Sequence, residues 1–310
     1  MNGDGIMLPA FTMQSMLETI ISYQVEELIL VPPIIIRLVR DPIVDAYLPD
    51  LQRVVKRWSS GSAPTSPEIT EQLRQKFPNT GFRQGYGATE STACISCHPP
   101  THYDYKYAAT AGIACANTTV KVIDLDDPTR LLGAGETGEI CAKGPQIAMG
   151  YLSNPAATAE TFVNGWLHTG DVGTVDDEGL IRISDRLKEM IKVKGQQCAP
   201  AELEDLLLGE AEVEDVAVLG IADEYSGERP KAYVVLKQGN QGQEASVGRR
   251  LMGVVKERKV KYKWLAEIEF TDVIPKSPTG KLLRRVLKAG DRKAGRVKGV
   301  VVLEELRSKL

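Results

Sequence analysis

Four short segments of the chain combine glycine with charged or hydroxyl side chains, a composition that suits the binding of a phosphorylated ligand. The segments are Gln84–Glu90, Gly165–Asp171, Asp185–Gln197 and Pro275–Lys281. Glycines let a backbone approach a ligand closely, and hydroxyl and carboxylate oxygens are the ligands that Mg²⁺ prefers. Together the segments predict a site that handles phosphates, a metal ion and other negatively charged groups.

The first two segments offer side chains of complementary types. Tyr86 offers an aromatic face for stacking, and Thr89 with Glu90 offers a hydroxyl and a carboxylate for Mg²⁺. Asp171 stands at a predicted glycine corner, where its carboxylate can accept hydrogen bonds from both hydroxyls of a ribose. The alternatives are that the first segment is only a turn and that Asp171 caps another.

The last two segments supply positive charge. In the third segment, cations alternate with apolar residues at period two, which predicts that the cations share one face of a strand. The alternative is that this face is only the solvated side of an edge strand. These cations are Arg186, Lys188, Lys192 and Lys194. In the fourth, Lys281 stands at the tip of a proline- and glycine-containing loop. The loop is not a P-loop, because the first glycine of that motif and the Ser/Thr after the lysine are both absent.

Two other patterns resemble known motifs but lack their context. Cys94-Ile-Ser-Cys97-His98 has the spacing of haem attachment and, with His102, of half a zinc site, but no second ligand pair follows. We therefore expect these cysteines to line a pocket or core. Gly133–Gly138 matches G-x-G-x-x-G, but a strand-like run follows it where a helix is needed, so it predicts a hairpin turn.

Composition favours a globular protein of about two domains. The 310 residues are 43% hydrophobic and 25% charged, and the net charge of −3 argues against a general nucleic-acid binder. The longest apolar run, Leu28–Ile36, is too short for a transmembrane segment, and the first residues lack the features of a signal peptide. Five cysteines, an odd number, fit a reducing compartment.

The last three residues, Ser308-Lys309-Leu310, match an address read by the peroxisomal import receptor. That receptor is the predicted protein partner, and the peroxisome is the predicted location. From Lys281 onward, ten Lys/Arg stand against three Asp/Glu. The basic stretch 288–298 is expected to be a solvated leash that presents the address, with membrane contact as the alternative.

Strand and helix patterns alternate in the first part of the chain. Helices are predicted over 13–23, 34–39 and 66–77, and strands over 27–31 and 53–58, which indicates a parallel, helix-covered sheet. Short β-prone runs between residues 108 and 183 predict antiparallel structure. After Asp185, helices over 202–208 and 247–258 alternate with strands over 213–221, 232–237 and 266–270, and another helix is expected from about residue 282.

The predicted class is therefore mixed α/β. Residues 1–184 would form part of a large domain, α/β over 1–105 and β-rich over 106–184. Residues 185–290 would form a small α+β domain, and 291–310 a basic tail that carries the peroxisomal address.

The four segments, in this order, resemble the adenylate-forming superfamily, most closely its 4-coumarate–CoA ligase and firefly-luciferase branch. Ser60–Pro64 and Tyr151–Pro155 match the same branch, and the resemblance extends to about Ala289. It implies an acyl-CoA ligase. A carboxylic acid attacks the α-phosphate of Mg·ATP to give an acyl-adenylate and diphosphate. The small domain then rotates, and the thiol of coenzyme A displaces AMP.

The resemblance also implies a role for each motif residue. Tyr86 would stack on adenine, and Thr89 with Glu90 would hold phosphate and Mg²⁺. Asp171 would bind the ribose hydroxyls with help from Arg186, and Lys188 would be the hinge. The remaining adenylate-binding positions would be Gly61, Ala63, Gln84, Gly85 and Gly87.

Two lysines would serve the two half-reactions. Lys281 would bridge the acid and the α-phosphate, because a cation in a dry site offsets the repulsion between two anions. Lys192, on the opposite face of the small domain, would enter the site after rotation. Lys194 and Gly195 would border the coenzyme A channel.

The chain departs from the resemblance at its start. A larger N-terminal region is missing, including a Ser/Thr/Gly-rich loop that ends in lysine and holds the β- and γ-phosphates. The expectation is a truncated product or incomplete gene model of an acyl-CoA ligase. A short nucleotide- or CoA-binding relic with reduced or no activity and one half of a split enzyme are the alternatives.

The sequence does not name the reaction's acid. Small apolar residues after Glu90, such as Ala93, Cys94 and Ile95, permit an aryl or a medium acyl chain. Fatty-acid metabolism, phenylpropanoids and fungal secondary metabolites or toxins are all open, with the last favoured. Luciferase-like oxygenation is a further alternative, whereas a carrier-protein adenylation domain is disfavoured.

Overall fold

The computed structural model describes residues 5–8, 10–277, 282–292 and 301–303. Lys281 and the tripeptide Ser308-Lys309-Leu310 lie outside the described residues. The chain divides into two compact units, one formed by Met1–Ala88 with Ala93–Cys115 and the other by Thr89–Thr92 with Ala116–Leu310. No helix in the described part of the chain is both long enough and apolar enough to span a bilayer.

The first unit alternates helices with strands, as its sequence predicts. Its helices are α1 (Met13–Ser22), α2 (Pro32–Arg40), α3 (Leu48–Val54) and α4 (Pro67–Lys76). Its strands are β1 (Glu27–Leu30), β2 (Arg57–Ser60), β3 (Gly81–Tyr86), β4 (Ser96–Cys97) and β5 (Ile113–Ala114). The strands form one sheet in that order, in which β1 to β3 are parallel and β4 and β5 are antiparallel to their neighbours.

Local signals explain where two of these helices begin. Thr12 caps α1, and Ser66 caps α4 by accepting a hydrogen bond from the Ile69 amide. The predicted strand over 53–58 is partly wrong, because α3 extends to Val54 and β2 begins only at Arg57. Leu51 and Val54 are buried three residues apart, which is the spacing of a helix face.

The second unit contains an antiparallel sheet, as predicted for residues 108–183. Its strands are β6 (Thr119–Ile123), β7 (Gly138–Lys143), β8 (Phe162–Val163), β9 (Trp166–Val175) and β10 (Ile181–Arg186). They lie in the order β10-β9-β7-β6, with β8 beside β9, and helix α5 (Pro155–Thr161) precedes β8. The Gly133–Gly138 motif falls in the connection of the β6–β7 hairpin, where Gly135 has a φ of 78°, so the hairpin prediction is confirmed.

A third sheet, also in the second unit, is surrounded by helices. Its strands are β11 (Ile191–Val193), β12 (Gln196–Cys198), β13 (Val213–Asp223), β14 (Gly227–Leu236), β15 (Glu267–Phe270) and β16 (Val301–Leu303). The helices are α6 (Pro200–Leu208), α7 (Glu244–Arg258) and α8 (Arg284–Arg292). The region predicted as a tail therefore begins inside α8 and contains β16, and the predicted leash over 288–298 is wrong where it overlaps α8.

The β13–β14 hairpin of this sheet is buried on both faces, and β14 joins β13 to the rest of the sheet. On one face, Val218 and Val234 join a core that includes residues of α6 and α7. On the other face, Ala217 and Tyr233 pack in a cluster that Leu287 of α8 covers. Among the described strands, β14 is the only hydrogen-bonded partner of β13.

The four cations of the third motif do not share one strand face, so that prediction was wrong. Arg186 ends β10, Lys188 lies in the turn that follows, Lys192 is in β11 and Lys194 is in the next turn. The chain turns after β10, where the Leu187 amide donates to the Gly170 carbonyl. It turns again after β11, where Lys194 and Gly195 have positive φ values of 52° and 78°. Arg186 and Lys192 thus lie in two different sheets, and Lys188 and Lys194 lie in the turns after them.

Candidate functional site

In the first unit, the predicted adenylate-binding residues meet at the carboxyl ends of two neighbouring parallel strands. Gly61 directly follows β2, and Gly85 lies near the end of β3. A Cβ atom built on Gly61 would lie 4.0 Å from the Gly85 carbonyl oxygen. The carboxyl ends of parallel strands are where open α/β sheets bind ligands. The residues of this edge are Gly61, Ala63, Gln84, Gly85, Tyr86 and Gly87.

The Gln84 side chain holds this edge together. Its Oε1 accepts a hydrogen bond from the Thr65 amide at 2.9 Å, and its Nε2 donates to the Ala108 carbonyl at 2.6 Å. The residue is buried. The amide therefore ties the loop that contains Ala63 to β3, and its polar atoms are engaged with the protein itself.

A buried histidine supports the backbone at the same point. His98 Nδ1 accepts from the Gln84 amide at 3.0 Å, and Nε2 lies 2.7 Å from the Thr110 hydroxyl. That hydroxyl donates to the Tyr107 carbonyl, so Nε2 is the protonated nitrogen that donates to it. Burial, with a smaller contribution from His102, lowers the pKa of His98 to about 4.

In the sequence, His98 stands out only as the last residue of a Cys-x-x-Cys-His pattern that resembles a haem-attachment or zinc motif. Both of its ring nitrogens are bonded within the protein, so it does not offer a metal ligand. The structure thus gives it a positioning role that sequence reasoning missed. The only sequence signal was its place one residue after the short strand β4.

The two glycines that flank Tyr86 have different surroundings. A Cβ atom on Gly87 would lie 1.8 Å from the Ala93 carbonyl oxygen, so close approach of the backbone requires glycine there. A Cβ atom on Gly85 would have 3.9 Å to the nearest carbonyl, and the residue is exposed. Gly85 therefore leaves room for a ligand, whereas Gly87 serves the fold.

In the second unit, the Thr89–Thr92 segment is fixed by the chain that follows β7. The Glu90 carboxylate accepts from the Tyr151 hydroxyl at 2.5 Å, and the Glu90 carbonyl accepts from the Ala148 amide at 2.8 Å. This hydrogen bond to Glu90 raises the pKa of Tyr151. The adjacent hydroxyl of Thr89 and carboxylate of Glu90 are hard oxygen donors of the kind that fits Mg²⁺. Tyr151 belongs to a motif noted in the sequence, but its partner was not foreseen.

Asp171 lies inside β9 rather than at the predicted corner. The strand continues to Val175, although Gly170 has a φ of 68° and the β7–β9 pairing shifts register nearby. The Glu139 carboxylate of β7 fixes this bulge by accepting from the Gly170 amide at 2.9 Å. Asp171 is buried, and its Oδ1 lies 3.1 Å from Nε of the exposed Arg186. Asp171 and Arg186, which the resemblance assigns to the ribose, thus lie in contact with each other.

The remaining predicted cations are exposed. Lys192 contributes only its backbone amide to a bond, with Glu228 at 2.9 Å, among the contacts described for it. Lys194 Nζ lies 3.6 Å from the centre of the Tyr225 ring. Gly195 has no neighbouring atom within 4 Å of where a side chain would begin. These residues and Lys188 lie outside the sheet that contains Asp171.

The described residues on either side of the 278–281 segment are ion-paired to the small sheet and its helix. Lys276 Nζ lies 2.5 Å from the Asp215 carboxylate in β13. Arg284 contacts both Glu204 carboxylate oxygens, at 2.7 and 2.8 Å. Burial raises the pKa of Glu204 to about 7, against the opposing effect of Arg284.

Comparison with known proteins gives consistent matches. The family model for AMP-binding enzymes matches residues 2–152, and that for the AMP-binding enzyme C-terminal domain matches 202–281. The chain is 40% identical to 4-coumarate–CoA ligase 1 of Arabidopsis thaliana over 288 residues, which are 92% of this chain and 50% of that protein. The chain thus spans about half the length of the curated relatives it matches.

Two solved structures are similar over most of the chain. An amide bond synthetase from Marinactinospora thermotolerans has a TM-score of 0.79 and 27% identity, over 91% of this chain and 55% of that one. The o-succinylbenzoate CoA synthetase from Bacillus subtilis, in complex with its acyl-adenylate intermediate, has a TM-score of 0.74 and 28% identity. That match covers 90% of this chain and 54% of the synthetase.

Proposed function

The chain belongs to the AMP-binding enzyme family, and from that premise we propose that it acts in an acid–thiol ligase reaction. The reaction converts ATP, a carboxylic acid and coenzyme A into an acyl- or aryl-CoA, AMP and diphosphate, through an acyl-adenylate. The observation that carries the proposal is the meeting of six motif residues at the carboxyl ends of β2 and β3. A sheet edge of this kind suits a nucleotide.

The nucleotide would be bound at that edge, which Gln84 and Gly87 help to shape, and by two carboxylates. The Tyr86 ring stacks on adenine, and Asp171, held by Arg186, accepts hydrogen bonds from the ribose hydroxyls. Thr89 and Glu90 hold Mg²⁺, which offsets charge on the phosphates. Of these groups Asp171 is buried, and buried, pre-positioned groups stabilise charge more than solvated ones do.

The lysines divide the two half-reactions between them. Lys281, which lies outside the described residues, offsets the repulsion between the acid and the α-phosphate during adenylation. Lys192 acts after the small domain has turned about Lys188, when Lys194 and Gly195 border the coenzyme A channel. Residues 1–184 and 185–290 are proposed as the two domains that move against each other.

The cellular setting is proposed from the sequence. The tripeptide Ser308-Lys309-Leu310 would be read by the peroxisomal import receptor and would direct the protein to the peroxisome. The acid substrate is proposed to belong to secondary metabolism or toxin synthesis. Fusing residues 282–310 to a fluorescent protein, with and without the last three residues, tests the address through the location of the fluorescence.

The activity test uses the full chain with ATP, Mg²⁺, coenzyme A and a panel of aryl and medium-chain acids. We expect diphosphate, AMP and a thioester from at least one acid. Lys281→Ala should abolish diphosphate release, whereas Lys192→Ala should retain it and lose the thioester. Lys261→Ala, an exposed lysine in no motif, is the matched control and should retain both steps.

Two outcomes would contradict the proposal. A folded chain that releases no AMP with any acid, but whose melting temperature rises with AMP or coenzyme A, would indicate a binding relic. Light emission with oxygen consumption, without a stable thioester, would instead indicate the luciferase-like alternative.

A further inference from the structure

Three cysteines of the first unit converge in a way that their sequence spacing does not reveal. Cys115 Sγ lies 3.4 Å from Cys94 Sγ and 3.9 Å from Cys97 Sγ, and all three sulfurs lie within 4.8 Å of one another. We propose that these sulfurs form a three-thiolate site for one borderline or soft metal cation such as Zn²⁺. The site is separate from the Mg²⁺ ligands and does not depend on the ligase activity.

The sheet brings the sulfurs together. Antiparallel pairing places Cys97 opposite Ile113, and the Ile95 carbonyl accepts from the Cys115 amide at 2.9 Å. Paired residues and residues two apart share a face of a sheet, so Cys97 and Cys115 point to the same side. Cys94 approaches from the turn before β4, where Ala93 has a φ of 82°.

The distances between the sulfurs suit a metal better than a covalent bond. Zinc–sulfur bonds of ~2.3 Å in a tetrahedron place the ligand sulfurs ~3.8 Å apart, and the separations of 3.4 and 3.9 Å lie on either side of that value. A disulfide needs the sulfurs at ~2.05 Å. The sulfurs are only half-buried, so a solvent molecule can reach the fourth position, which the His98 ring does not fill.

The local charges are compatible with this site. Burial raises the pKa of all three thiols, so a metal must displace protons to bind. The nearby Arg83 acts in the opposite direction on Cys94 and Cys97. Three thiolates around a divalent cation carry one net negative charge, and Arg83, which is itself paired with Glu27 at 2.6 Å, is the cation on their side.

The test begins with the full chain in reduced form, after removal of metals by a chelator. Titration with Co²⁺ should give one saturable equivalent with intense thiolate-to-cobalt charge-transfer absorption, and Zn²⁺ should abolish that absorption. Cys97→Ser and Cys115→Ser should lose the absorption. Cys198→Ala, which removes a cysteine in the other unit, should retain it.

Two results would overturn the proposal. One is the absence of a saturable one-to-one signal in the reduced wild-type chain, and the other is equal binding by the cluster variants and the control. If a serine variant does not fold by circular dichroism, alkylation of the wild-type chain decides, because Zn²⁺ should protect Cys94, Cys97 and Cys115. The site is refuted if alkylation is equal with and without Zn²⁺. It is also refuted if Cys94 and Cys115 form a disulfide and the reduced chain takes up no metal.

Discussion

The buried imidazole of His98 should make the protein lose stability in mild acid. In the folded state, Nδ1 must remain unprotonated to accept from the Gln84 amide, and a second proton would set two donors against each other. The unfolded chain has no such restriction and takes up a proton below about pH 6.5. The unfolded state therefore binds more protons between the two pKa values, and stability must fall as the pH falls.

The size of the effect follows from the pKa difference. The pKa of His98 falls from 6.5 to about 4 in the folded chain. Each pKa unit corresponds to ~1.36 kcal/mol, so complete titration would remove up to ~3 kcal/mol of unfolding free energy. Proton linkage places ~2 kcal/mol of that loss between about pH 7.5 and about pH 5.

The assay is urea denaturation followed by circular dichroism at those two pH values. His98→Gln should be less stable than wild type near neutral pH, because the replacement fits the Gln84 amide poorly, by ~1–3 kcal/mol. It should nevertheless lose ~2 kcal/mol less on acidification, because the titrating group is gone. His102→Gln, a change at the less buried neighbour, should keep most of the acid loss, because burial is the larger cause of the lowered pKa of His98.

A direct measurement can refute the reasoning independently of stability. The chain has only three histidines, so the His98 imidazole signal can be assigned by its absence from His98→Gln. Its titration midpoint by NMR should lie well below 6.5. A midpoint near 6.5, or equal acid losses in wild type and His98→Gln, would show that the histidine does not hold the Gln84 amide as a neutral acceptor.

Two further predictions concern packing. Arg284→Met should lower the unfolding free energy by about 3–5 kcal/mol, because Glu204 would be buried without its partner. The control Arg285→Met, at an exposed position of the same helix, should lower it by less than ~0.5 kcal/mol. Equal losses of the two variants in urea denaturation would contradict the ion pair. Gly87→Ala should lower the unfolding free energy by about 1–3 kcal/mol, because the added methyl group meets a facing carbonyl. Gly85→Ala should keep the wild-type melting temperature and weaken ATP binding. A lower melting temperature for Gly85→Ala than for Gly87→Ala would refute the contact distances.

Local signals made much of the fold predictable. The structure follows signals that belong to short stretches of sequence. These are the serine and proline at the start of α4, the alternating helix and strand patterns, and the glycine-rich turns. The errors arose where distant contacts decide. Residues 53 and 54 join a helix because Leu51 and Val54 pack inward, and the segment after Arg186 turns where the Leu187 amide meets the Gly170 carbonyl.

The same distinction applies to the candidate site. Motif residues near the ends of β2 and β3 could be grouped from the sequence only through the family resemblance, because the strand β3 was not predicted. The roles of His98 and Cys115 could not, since they depend on the pairing of β3, β4 and β5. Asp171 was recognised, but the bulge that places it inside β9 requires Glu139 of another strand.

The edge of β13 opposite β14 has a consequence for association between molecules. This strand has 11 residues and, among the described strands, pairs only with β14, while its Val218 amide donates to the Glu204 carboxylate of α6. A long open edge is a template for a strand of another chain, and charges and bulges are the usual protection. Here a bulge lies between Val213 and Asp215, and Lys276 pairs with Asp215 beside it. Loss of that pair should therefore appear as aggregation of a protein that is still folded.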